Sequence, residues 1–177
     1  SPPKRWVKLY MEDTMDNNLT LMTDLYQLTM MQGYFESNMH NKKAVFDMFY
    51  RKNPSNNGYA ITCGLEQVVD YIKNIKFDDN TINYLKSLNI FKENFLEYLK
   101  DFRFTGDIYA IPEGTVVFPG EPLVRVKSTI IEAQFIETTI LNIINHQSLI
   151  ATKAARVKWA AEGDVVMEFG LRRAQGP

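Results

Sequence analysis

Cysteine and histidine are the scarce residues of this chain, and their scarcity removes whole classes of chemistry. There is one cysteine, Cys63, and there are two histidines, His40 and His146. A lone thiol forms no internal disulfide, so the expected home is a reducing cytoplasm. The histidines stand far apart, and no Cys or carboxylate cluster has ligand spacing, so no metal motif is present. P-loop, G-x-G-x-x-G and G-x-S-x-G patterns are absent; Gly58, Gly64, Gly106, Gly114 and Gly120 are scattered turn glycines. No apolar run is long enough to span a membrane. The N-terminal stretch SPPKRWVKLYMEDTMDNN lacks the apolar centre of a signal peptide. The net charge of −1 provides no field to draw in nucleic acid or a membrane surface. Internal repeats and low-complexity blocks are missing as well.

What remains is the composition of a globular domain, 45% hydrophobic and 23% charged over 177 residues. That length buries one good core and begins a second. Residues 1–17 read as a disordered or vector-derived tail. Residues 20–37 read as a helix with Thr20 or Thr23 as N-cap. Residues 43–51 and 58–63 read as strands joined by the turn-rich KNPSNN. Helices are predicted over 64–75, 79–88 and 91–102 from their apolar spacing. The texture then changes: residues 106–132 are rich in β-branched side chains broken by Pro and Gly, the pattern of short strands. A long helix follows from about Ala133 to Glu162, with Ile136, Ile140, Ile143, Ile144, Ala151, Ala154 and Ala155 as its apolar stripe. Gly163 is expected as its C′ residue, and Asp164–Phe169 reads as a buried strand opening a parallel α/β unit.

Four places carry possible chemistry, each with a plainer alternative. In the first helix, Leu21, Leu25, Leu28 and Phe35 fall on one side, while Tyr26 and Gly33 point away from it, with Met30 nearby. Tyr26 is either a surface tyrosine or a flat ring offered to a neighbour or ligand. Arg51, at a strand end beside Lys52, is either a solvated turn residue or a donor to phosphate or carboxylate. His146 is either a general acid or base or a hydrogen-bonded core or interface residue; His40 reads as exposed. Cys63 reads as core filler rather than nucleophile. The most pointed stretch is EFGLRRAQGP, 168–177. Phe169 ends the predicted strand, Gly170 allows a backbone to approach a ligand, and Arg172 and Arg173 bring adjacent permanent charges to the strand's C-terminal rim; the plainer reading is a basic surface turn.

In this order, TDLYQLTMMQGYF (23–35), FDMFYRKNP (46–54), YAITCGLEQVVDYI (59–72), IPEGTVVFPGEPLVRV (111–126), ETTILNIINHQSLIATKAAR (137–156) and EFGLRRAQGP resemble the nicotinate phosphoribosyltransferase family. The similarity runs from about residue 18 to the last residue. It implies a type II phosphoribosyltransferase: an α+β N-terminal domain over 18–145, then a connecting helix and the first strand of an irregular β/α barrel over 146–177. It implies transfer of phosphoribosyl from phosphoribosyl pyrophosphate to nicotinate, giving nicotinate mononucleotide and pyrophosphate in NAD salvage, with Mg²⁺ and ATP hydrolysis and no tightly bound cofactor. The partner implied is a second copy, in a homodimer whose sites are shared between subunits. On this pattern Tyr26 lines the pyridine pocket across the interface, Phe169 stacks on the ring, Arg172 lies near the substrate's anionic groups, Gly170 is a substrate-binding backbone position, and Arg173 and Arg51 are expected phosphate contacts. The phosphorylatable histidine of the family falls beyond Pro177, so no catalytic residue is expected in this stretch, which alone is expected to be inactive. Nicotinamide or quinolinate phosphoribosyltransferase, and a non-catalytic binding or carrier module, are the alternatives.

Overall fold

The longest helical pattern produces the element on which the others rest. In the computed structural model, which describes residues 18–53 and 58–175, helix α5 (Ile130–Ala160) runs for 31 residues without a proline or glycine. Ahead of it come α1 (Leu25–Glu36), β1 (Lys43–Phe49), β2 (Ala60–Ile61), α2 (Leu65–Asn74), α3 (Asp79–Ser87), α4 (Glu93–Lys100), β3 (Asp107–Ala110), β4 (Val116–Val117) and β5 (Pro122–Thr129). The expectation of a tail over 1–17 lies outside the described residues, as do the last four residues of the KNPSNN turn.

The strands form an antiparallel three-stranded sheet in the order β1-β5-β3 and an antiparallel pair, β2-β4. The predicted strands on either side of KNPSNN therefore belong to different sheets. Alternation along β5 buries Val124, Val126 and Ser128 and exposes Arg125 and Lys127, so one face of the sheet meets the core. The first half of α5 packs on that side. Its Ile136, Ile140, Ile143 and Ile144 are buried, and Phe135 lies between Phe77 and Phe102 at ring-centroid distances of 5.3 and 5.2 Å. Past Thr152 no residue of α5 is buried. Ala151 and Ala155 are only partly covered and Ala154 is exposed, so the expected stripe is core only in its first half.

Side chains of α5 also complete the short sheet. Ser148 Oγ accepts from Cys63 N at 2.9 Å and Thr152 Oγ1 accepts from Ile61 N at 2.8 Å, taking the place of a further strand along β2. At the start of α2, Gly64 adopts φ +105°, and the Glu113 carboxylate accepts its N–H at 2.6 Å. An acid from a distant turn thus satisfies a helix N-terminus that Gly64 has no side chain to cap.

Three expectations are corrected. The N-cap of α1 is Asp24, not Thr20 or Thr23; Thr20 precedes it in a 3-10 turn, where its hydroxyl accepts from Lys76 N at 2.8 Å. α5 closes on Ala161, so the C′ residue is Glu162 at φ +47°, and Gly163 at φ +104° follows it. Residues 164–170 form no strand among the described residues. Val165 and Met167 stay 83% and 66% exposed, because an apolar run becomes a buried strand only where neighbouring strands supply its ladder.

Gly106 shows how closely the sheet is joined to its entering loop. A Cβ there would meet the Ser128 side chain and stand 2.7 Å from the Lys127 carbonyl oxygen. Gly106→Ala is expected to lower stability by about 1–3 kcal/mol in chemical denaturation, the ordinary cost of overpacking a rigid backbone contact. An unchanged midpoint would show that the loop moves aside freely.

Candidate functional site

Tyr26 is held from below by a buried amide. α1 turns Gln27, Leu28 and Met31 inward, while Tyr26 is 50% and Met30 40% exposed. Leu25, expected on the core stripe, is itself 53% exposed, because it sits at the first helical position, before the packed turns begin. Gln27 is 0% exposed. Its Nε2, which has two hydrogens, lies 3.0 Å from Tyr26 Oη, 3.1 Å from Glu137 Oε2 and 3.2 Å from Thr138 Oγ1, so one hydrogen is shared between two of these oxygens, and its Oε1 accepts from Gln134 Nε2. Thr138 Oγ1 donates to Asp24 Oδ2 at 2.9 Å, and Thr139 Oγ1 to the Met22 carbonyl at 2.6 Å. Sequence reasoning missed Gln27, Gln134, Glu137 and Thr138. Their signal was a polar group at helical spacing inside the apolar run of α5, facing a glutamine beside the tyrosine.

Glu137 also walls a groove of about 330 Å³ between α5 and the inner face of β1 and β5. Phe46, Met48, Val126, Ile136 and Ile140 make it apolar. Across β1 and β5, Arg125 donates from Nε and Nη2 to the two Asp47 carboxylate oxygens, each at 2.7 Å, and holds that carboxyl below its ordinary range.

The arginine stretch lies beyond the other end of α5. Residues 171–173 make a single 3-10 turn, with Arg173 N donating to the Gly170 carbonyl at 2.7 Å. Glu168 folds back to accept from Gly170 N, and Arg172 Nη1 donates to the Phe169 carbonyl at 2.7 Å. Phe169 is 76% exposed, and Arg172, Arg173 and Arg51 are exposed too. Among the described residues no acid pairs with any of these arginines. Nor does a ring contact join Phe169 to Tyr26 among the described residues. From Glu137 to Ala160 the helix rises about 35 Å. The structure therefore brings Phe169, Gly170 and Arg172 together in one turn and leaves Tyr26 at the far end of α5.

The family model described as the nicotinate phosphoribosyltransferase (NAPRTase) N-terminal domain matches residues 21–145. The chain belongs to this family. It is 48% identical over 159 residues to the nicotinate phosphoribosyltransferase of Bacillus subtilis (strain 168), covering 90% of this chain and 32% of that protein. To the Caenorhabditis elegans nicotinate phosphoribosyltransferase it is 44% identical over 163 residues, 89% of this chain and 29% of that one. Among solved structures, human nicotinic acid phosphoribosyltransferase superposes with a TM-score of 0.80 at 34% identity, covering 88% of this chain and 32% of that one. Nicotinate-nucleotide pyrophosphorylase from Pyrococcus furiosus matches at a TM-score of 0.68 and 24% identity, over 96% of this chain and 36% of that one, a likeness of fold alone. The chain thus spans about a third of the length of the curated relatives it matches. Its α+β architecture is that of the family's N-terminal region.

The remaining candidates take structural or solvent-facing places. His146 is exposed on α5. His40 is not merely exposed: its ring packs at 5.3 Å from Phe35 and 5.6 Å from Tyr98, because the loop folds back over α1 and α4. Lys127, the lysine a carrier module would need at a hairpin tip, lies mid-strand between Val45 and Asp107. No helix among the described residues is long and apolar enough to cross a membrane. Cys63 Sγ donates to Gln147 Oε1 at 3.6 Å, and burial, then the Glu113 carboxylate, push its thiol above the ordinary range. Both effects favour the neutral, unreactive form. Alkylation by iodoacetamide is therefore expected to be slower than for free cysteine at pH 7, rising with pH through a midpoint above that of a free thiol. A midpoint at or below the free-thiol value would contradict this.

Proposed function

We propose that this chain is the N-terminal part of an enzyme that transfers phosphoribosyl from phosphoribosyl pyrophosphate to nicotinate, releasing pyrophosphate and forming nicotinate mononucleotide for NAD salvage. Family membership over residues 21–145, the stretch that contains Tyr26 and the network beneath it, carries this reading. Phosphoribosyl transfer passes through a cationic ribosyl centre as pyrophosphate leaves, so the protein's work is positioning and stabilisation of leaving-group charge. Phe169 and Tyr26 supply flat faces for a pyridine ring. Arg172 and Arg173 supply fixed forks for carboxylate or phosphate oxygens, with Gly170 giving the backbone room and Arg51 a more distant donor.

A homodimer gives the separation of these groups a purpose. Tyr26 and Phe169 stand at opposite ends of α5, so one ligand meets both when Tyr26 of one copy approaches Phe169 of another. Beside further strands that would supply its ladder, the run 164–169 would serve as the first strand of a β/α barrel, with residues 18–145 as the N-terminal domain, 146–177 leading into the barrel, and a cytoplasmic location. ATP hydrolysis would drive the yield. Mg²⁺ is the expected companion of phosphoribosyl pyrophosphate and ATP. Mg²⁺ binds through substrate phosphates with one or two carboxylates, so it would arrive with the phosphates.

In the full-length enzyme, Tyr26→Ala is expected to raise the nicotinate KM or lower kcat by a factor of about ten or more, as when an oriented stacking contact is lost. Arg172→Ala should cost more. Steady-state kinetics of both variants decide the matter: wild-type constants for Tyr26→Ala would remove it from the pocket, and for Arg172→Ala would reduce the arginines to a surface turn.

A further inference from the structure

We infer that Tyr26 acts as an outward hydrogen-bond donor to an anionic ligand oxygen, and that Gln27 is the positioning residue that imposes this polarity. The inference rests on the reading of Tyr26 as a substrate contact and adds the direction of its hydroxyl. Gln27 is fully buried, so the arrangement of its amide is set by its neighbours alone. Nε2 faces the Glu137 carboxylate at 3.1 Å, an acceptor only, while Oε1 receives the Gln134 amide hydrogen. The reverse orientation would place Oε1 against the carboxylate and turn two amide nitrogens on each other. The nitrogen is therefore the group that meets Tyr26 Oη, at 3.0 Å, and it has no lone pair to offer. The phenol cannot donate there and can only accept, sharing the hydrogen that Glu137 leaves with Thr138 Oγ1.

A phenol that accepts from the protein keeps its single hydrogen for another partner. Among the described residues no acceptor takes it, and Tyr26 is half-exposed. The bonds run in one sense, from the Gln134 amide to Gln27 and from Gln27 to Tyr26, and each polarises the next. Such a hydroxyl favours a carboxylate or phosphoryl oxygen over a group that can only donate, and a charged acceptor makes the stronger bond. The network thus adds a preference for acceptor oxygens to the flat face of the ring.

The test is a kinetic comparison in the full-length enzyme of Tyr26→Phe, Tyr26→Ala, Gln27→Met and the double variant Gln27→Met/Tyr26→Phe. Tyr26→Phe keeps the ring and the fold, and should raise one KM by about ten- to hundredfold, the effect of losing a hydrogen bond to a charged group. A rise confined to nicotinate identifies the carboxylate as the acceptor; one confined to phosphoribosyl pyrophosphate identifies a phosphoryl oxygen. Gln27→Met should raise the same KM in the parent and leave it unmoved in the Tyr26→Phe background, a coupling that a purely structural glutamine would not produce. If Gln27→Met fails to fold, Tyr26→Phe still decides. Unchanged KM values for Tyr26→Phe beside an impaired Tyr26→Ala would overturn the donor assignment and leave the site standing. Wild-type kinetics for Tyr26→Ala would overturn the site, and the donor with it.

Discussion

A glutamine amide with no access to water must find its partners inside the protein, and Gln27 finds them on α5. Leaving a buried amide unpaired costs about 1–3 kcal/mol, so the network ties the register of α1 to that of α5 more firmly than apolar contact alone. Through Tyr26 Oη, Glu137 and Gln134 the same amide sets where an exposed ring stands. Packing, helix register and a candidate binding surface thus meet in one side chain.

α5 organises the rest by being two different helices in succession. Its first half is core, packed on the sheet and on α1 and α2; its Ser148 and Thr152 finish the edge of β2. Its second half exposes Val157 and Trp159 and leads into the equally exposed Val165, Met167, Phe169 and Leu171. Side chains of this kind, in a row, ask for apolar cover. The two chemical clusters, Tyr26 with its amide and Phe169 with its arginines, sit at the two ends of this helix.

Much of the fold was legible in the residues. α2 and α4 lay within the segments whose apolar spacing marked them, and Phe95, Leu99 and Phe102 of the segment 91–102 are buried. β1 and the strand-rich stretch 106–132 were likewise marked by composition. The failures share a cause. Periodicity treats polar side chains as outward-facing, so Gln27 and Gln134 were passed over although they lie in the interior. It treats a leucine as inward-facing, so Leu25 was placed in a core that the helix reaches only a turn later. It reads an apolar run as a strand whether or not neighbours exist, which is how 164–169 was assigned a ladder absent from the described residues. Tyr26 was legible as pointing off the core; the network that holds it, supplied in part by residues more than a hundred positions away, was not.

The central claim is that the buried amide of Gln27 holds Tyr26 at a ligand surface. The most direct measurement is a crystal structure of the full-length enzyme with nicotinate bound. The account predicts ring centroids of Tyr26 and the pyridine within about 4.5–7 Å, with Gln27 still donating to Tyr26 Oη and Phe169 of another copy on the opposite face. Nicotinate bound away from Tyr26, or Gln27 turned from its α5 partners, would contradict it.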